Sequence, residues 1–160
     1  MLRSFHSLPE DSRIWIFQSN QFLSPQQINS INFELNRLLG SWISHQESLH
    51  AGFIILHDLF VIIGLDQNQT ASGCSIDAMM HAVQRIEKKI GGTLLDRTHV
   101  AFQSNGKIRI VQLNEFQELI KKNEINQSTQ VFNNLISSKK ELLTHWKVSI
   151  EKSWHNRYLT

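Results

Sequence analysis

A single cysteine, Cys74, stands in a chain of 160 residues. That excludes an internal disulfide framework and any multi-cysteine zinc knuckle, and it fits a reducing, cytoplasmic setting. Charged residues are also scarce: 19% of the chain against the ~25% usual in soluble proteins, with Asn and Gln filling part of the gap. No basic stripe exists to follow a phosphate backbone, so a nucleic-acid partner is not expected. The 16 Lys and Arg against 14 Asp and Glu leave a net charge of +2. The pairs Lys88-Lys89, Lys121-Lys122 and Lys139-Lys140 lie far apart, the first two where helices are expected to end and the helix dipole favours cations.

Long apolar runs are missing as well. The most hydrophobic segment, 53–65, is broken by His57-Asp58 and falls short of the ~20 residues that span a bilayer. Residues 1–10 carry Leu2, Phe5 and Leu8 among polar neighbours, without the ~7 to 15 apolar residues of a signal peptide. Neither membrane insertion nor secretion is expected. No His-Glu-x-x-His occurs, and the five-residue step from His45 to His50 puts the two rings on different faces of a helix, so no metal site is assigned. Nor is a cofactor: the one Gly-Lys pair, Gly106-Lys107, is followed by Ile108 and has Ala101 where a P-loop requires glycine.

What is present is an ordinary globular composition, 41% apolar, without repeats, low-complexity tracts or an interdomain linker. Arg13–Gln18, rich in β-branched and aromatic residues, predicts a first strand. Ser24 as N-cap, Pro25 as first helical residue and Gln27 as reciprocal partner make a capping box. Ile28, Ile31, Leu35, Leu38, Leu39 and Trp42 follow at helical spacing. The runs 52–56 and 59–65 predict two antiparallel strands across His57-Asp58. Ile76, Met79, Met80, Val83, Ile86 and Ile90 form a second helical stripe closed by Gly91-Gly92. The segments 99–103 and 107–113 flank Asn105-Gly106, a tight-turn pair. Asn114-x-x-Gln117 is expected to cap a short helix with Phe116, Leu119 and Ile120, and Ser138-x-x-Glu141 to begin another; Val131-Phe132 reads as extended.

The order strand, helix, strand, strand, helix, strand predicts an α+β fold of ferredoxin-like type, with an extra hairpin. We expect one domain over 1–160, with a core at 13–113 and a C-terminal helical and aromatic extension at 114–160. Its Phe132, Trp146, Trp154 and Tyr158 are expected to pack back on the domain.

The least ordinary segment is Thr70-Ala71-Ser72-Gly73-Cys74-Ser75-Ile76-Asp77, between a buried strand and an amphipathic helix. Small residues admit a ligand close to the backbone, and the free amides of a helix start attract an anion and favour a thiolate. One reading makes this a site for a small anionic ligand or for thiol chemistry. Ser72, Gly73 and Ser75 would hold the anion, Cys74 would attack, His155 would accept a proton and Arg157 would pair with negative charge. His50 and His57 are further candidate bases; His81, on the helix expected to begin near Cys74, lies about two turns away and out of direct reach. Another reading makes Ser72, Cys74 or Ser75 plain helix caps and Asp77 a partner of the dipole, with the cysteine inert. A third makes the chain a non-catalytic interaction module that binds a protein partner or a second copy of itself, through its aromatic tail or an exposed sheet face.

The chain resembles an uncharacterised bacterial family of small proteins often carried under the label "ABC transporter ATPase". The likeness rests on Ser12-Arg13-Ile14-Trp15-Ile16, Ala71-Ser72-Gly73-Cys74-Ser75-Ile76-Asp77, Asp96-Arg97 with His99-Val100-Ala101-Phe102, Val131-Phe132-Asn133-Asn134, and Ser153-Trp154-His155-Asn156-Arg157-Tyr158-Leu159. It implies no particular reaction or substrate. An ABC-type ATPase activity conflicts with the missing Gly, Lys and Ser/Thr groups of a P-loop.

Overall fold

The structure, a computed structural model, describes residues 1–159. Their contacts group into two compact units: Met1–Leu95 with Ser137–Lys139, and Asp96–Ile136 with the chain from Lys140 onward. Both mix helices with antiparallel sheet, so the α+β class holds. The hairpin at 99–112 groups with the C-terminal residues in the second unit.

In the first unit, β1 (Arg13–Gln18), α1 (Pro25–Gly40), the short β2 (Ile43–Ser44) and β3 (Glu47–Ser48), β4 (Ala51–Leu56), β5 (Phe60–Leu65) and α2 (Gly73–Ile90) follow in order. The main sheet is antiparallel, with strand order β1-β5-β4. The capping box of α1 forms as its residues dictate: the Gln27 amide donates to Ser24 Oγ (3.2 Å) and the Ser24 amide to Gln27 Oε1 (2.8 Å). Ile31, Leu35 and Leu39 of α1 and Met79, Val83 and Ile86 of α2 bury against Val61, Ile63 and Leu65 of β5, so both helices share one face of the sheet. They are joined across their own seam by buried Glu34, whose carboxylate accepts from Lys89 Nζ (2.6 Å) and Arg85 Nε (3.5 Å). Gly91 ends α2 at φ 67°, a left-handed conformation that glycine adopts without strain.

The opposite face carries the N-terminal segment, and here two glycines are set by close approach. A Cβ on Gly64 would stand 2.8 Å from a methyl of Leu8, and one on Gly52 would stand 2.5 Å from the Arg3 carbonyl. Ser137–Lys139 straps this arrangement. The Ile14 amide donates to the Ser137 carbonyl (2.9 Å), the Lys139 amide to the Ser12 carbonyl (2.9 Å), and Lys139 Nζ to the carbonyl of Leu8 (2.7 Å).

The second unit holds β6 (His99–Ser104), β7 (Lys107–Gln112), α3 (Leu113–Lys121), β8 (Gln130–Phe132), the single-turn α4 (Glu141–Thr144) and β9 (Lys147–Ser149). Its sheet runs β7-β6-β8-β9, with Asn105 (φ 52°) and Gly106 (φ 76°) making the expected tight turn. Phe116 and Leu119 of α3 pack with Val100, Phe102, Val111 and Val131 of the sheet.

Several expectations are corrected. A ferredoxin-like order would place the strand after α2 beside β1, whereas β6 pairs with β7 and β8. Trp42 lies beyond the end of α1, buried with its indole N–H on the Ser75 carbonyl (2.8 Å). Asn114 sits inside α3 rather than capping it, and Ser138 bridges to Arg13 rather than starting a helix.

Candidate functional site

The start of α2 is built from its own residues. Ser72 is the N-cap, and its Oγ accepts from the Ser75 amide (3.1 Å). Ser75, buried, donates from its hydroxyl to the Ile43 carbonyl (2.7 Å), and the two serine hydroxyls meet at 2.7 Å. The Ser72 amide donates to Ser44 Oγ (3.2 Å). Both hydroxyls and the Ser72 amide are thus engaged with the 42–44 segment and with each other. Gly73 and Cys74 are exposed, as is Asp77 one residue beyond the first turn. A Cβ on Gly73 would meet nothing within 4 Å, so no close approach requires that glycine. The amides of Gly73 and Cys74 have no intrahelical acceptor, as at every helix start.

His155 and Arg157 belong to the second unit, in the helical turn Trp154–Tyr158. His155 is buried: its ring stacks on Trp154 (3.9 Å between centroids), meets Phe116 edge-on, and shares a 2.6 Å hydrogen bond between Nδ1 and Ser153 Oγ. Burial, aided by the Arg157 charge, lowers its pKa to about 4. It is therefore neutral at pH 7 and already engaged. Arg157 is exposed, lies over the Trp154 ring at 5.3 Å, and lines a groove of about 790 Å³ along α3. That groove carries both signs, Lys121 and Lys122 with Glu115 and Glu118, and Lys121 is paired with Glu118 at 3.3 Å. The C-terminal end of α3 lies there too, and its dipole opposes an anion. Of the other histidines, His57 and His81 are exposed and His50 half-buried, its amide held by Gln69 Oε1 (2.6 Å).

A different feature stands out at the sheet margin. In an antiparallel ladder, alternate residues of an edge strand turn their N–H and C=O outward. The parity in β4 is fixed by its ends. The Asp66 amide donates to the His50 carbonyl (3.0 Å), so even-numbered residues bond toward β5; the Arg3 amide donates to the Ala51 carbonyl (2.7 Å), so odd-numbered residues bond outward. The N-terminal segment satisfies Ala51 and leaves at Ser4. Beyond it, among the described residues, β4 pairs with β5 alone, and the N–H and C=O of Phe53 and Ile55 point to an open edge. Phe53, Ile54, Ile55 and Leu56 are all apolar and half-buried.

A groove of about 540 Å³ follows this edge. Its apolar part is Leu2, Phe5, Phe53 and Ile54. Phe53 packs on the helix-covered face and Ile54, its neighbour, points to the other, so a groove that includes both straddles the edge rather than either face. Asn36 of α1 bounds one side, and Arg3 and His6 the other. No residue lining it carries a carboxylate.

Comparison with known protein families, curated proteins and solved structures found no match to this chain. Among the described residues no three of His, Cys, Asp and Glu gather as metal ligands, and no helix is long and apolar enough to cross a membrane. The β4 edge escaped the sequence reading because 52–56 reads as an interior strand; its apolar run carries no mark of which edge a neighbour will leave open. The 53–65 apolar peak was the one available signal.

Proposed function

We propose that the chain is a non-catalytic interaction module whose β4 edge accepts an extended segment of a partner as an added strand. The observation that carries this reading is the pair of outward-facing residues, Phe53 and Ile55, beside a groove that straddles the edge. Edge strands left flat, uncharged and free of proline are templates for pairing, and main-chain hydrogen bonds then supply affinity while flanking pockets supply selectivity. A selection of displayed peptides against the folded chain tests it. Enriched sequences should alternate apolar residues and lose binding to Ile55→Pro, which removes one outward N–H without touching the ladder to β5. Enrichment that survives this substitution, or no enrichment, counts against the reading.

A second reading, anion binding or thiol chemistry at the start of α2, is favoured by the exposure of Cys74 there. Ser72 and Ser75 are less free to serve it, and His155, its pKa lowered to about 4 by burial and by Arg157, is a weak base. Alkylation of native Cys74 about tenfold faster than a small-molecule thiol would support it, and an equal rate would remove it. The reducing, cytoplasmic setting rests on the lone cysteine, and membership of the resembled bacterial family on the quoted motifs. The β-α-β-β-α order of the first unit is kept as a ferredoxin-like arrangement whose fourth strand is not supplied by β6.

A further inference from the structure

We infer that the segment added to β4 is acidic: an extended stretch with carboxylates at alternate positions beside apolar residues. The inference rests on the interaction reading above and adds the chemistry of the partner. The charged or ionisable groups lining the groove are Arg3 and His6, and neither has a carboxylate partner. Asp11 and Asp58, near these elements in sequence, are exposed and do not line the groove. Glu34 is buried on Lys89 and Arg85, while Glu10 reaches Lys139 at 3.9 Å.

The period follows from strand geometry. Successive side chains of an added strand alternate between faces. On one face they would lie toward Asn36 and α1, and on the other toward Phe5, Ile54 and the cation of Arg3. Carboxylates at alternate positions therefore all fall on the side of Arg3 and His6, while the residues between lie against Phe53. A second copy of the chain is a poorer occupant, because Ala51–Leu56 brings no carboxylate of its own. Asn36, which both donates and accepts, offers the added strand a neutral contact on the opposite side.

Three fluorescent peptides of about ten residues, alternating Val with Glu, with Ser or with Lys, test this by anisotropy at low and high salt. The expected result is that the Glu peptide binds about tenfold or more tighter than the Ser peptide, that salt narrows the difference, and that the Lys peptide binds weakest. Arg3→Glu, at an exposed position that should not disturb folding, should abolish the preference; Ile55→Pro should abolish binding of all three. Equal binding of the three, lost in Ile55→Pro, overturns the acidic partner and leaves the interaction module standing. Binding that survives in a folded Ile55→Pro chain, or no binding at all, overturns both. A dimer that forms without peptide and disperses in Ile55→Pro overturns the acidic partner in favour of a second copy.

Discussion

His155 shows how far one side chain's role depends on its surroundings. As a residue type it is the commonest general base, and its place in an aromatic tail suggested a partner for Cys74. In its unit it is a packed ring, sandwiched by Trp154 and Phe116 and tied to Ser153. Its pKa, lowered to about 4 first by burial and then by Arg157, makes a pH prediction. Between about 4 and the ordinary 6.5 the unfolded chain binds a proton that the folded chain refuses, so stability is complete above 6.5 and falls as pH drops toward 4. Urea unfolding across this range should show that fall, on the order of 3 kcal/mol, and His155→Gln should flatten it. An equal slope in the variant would contradict the assignment. Glu34 acts in a lower window: its pKa is depressed, chiefly by the Lys89 hydrogen bond, so its contribution is present above the ordinary 4.5 and lost as pH falls further. The burial of His155 was not legible because it depends on which distant residues, Phe116 above all, close around the tail.

At the scale of elements, local chemistry was most readable where a short stretch satisfies itself. The Ser24, Pro25 and Gln27 box, the Gly91 cap and the Asn105-Gly106 turn need nothing beyond their neighbours, and all three formed. Asn114 and Ser138 look like caps by type but were taken by other geometry: Asn114 falls inside α3, and Ser138 is drawn onto β1. β2, β3 and β9, of two or three residues each, are too short to display a period. The two helix caps make a comparison. Ser24→Ala should cost about 1 kcal/mol, an ordinary N-cap loss. Ser72→Ala should cost more, about 2 kcal/mol, because its hydroxyl also meets buried Ser75, which then loses a partner. Thermal melts of the two variants check the order, and equal losses would mean that the Ser72–Ser75 contact contributes nothing.

For the whole molecule, the class was legible and the partition was not. Two amphipathic helices and β-rich segments announce α+β, but nothing between Leu95 and Asp96 marks a boundary by composition, and the return of Ser137–Lys139 to the first unit is a contact across more than a hundred residues of chain. Hydrophobic period tells which face of a strand is buried; it says nothing of which neighbour sits beside it. The same blindness hid the β4 edge, on which the functional account stands. Amide hydrogen exchange, residue by residue along β4, tests that account most directly. In the free chain the amides of Phe53 and Ile55 should exchange fast while that of Ile54, bonded toward β5, is protected, and addition of the Val/Glu peptide should slow Phe53 and Ile55 together. Protection of all three amides in the free chain, or no change at Phe53 and Ile55 when peptide is added, would contradict it.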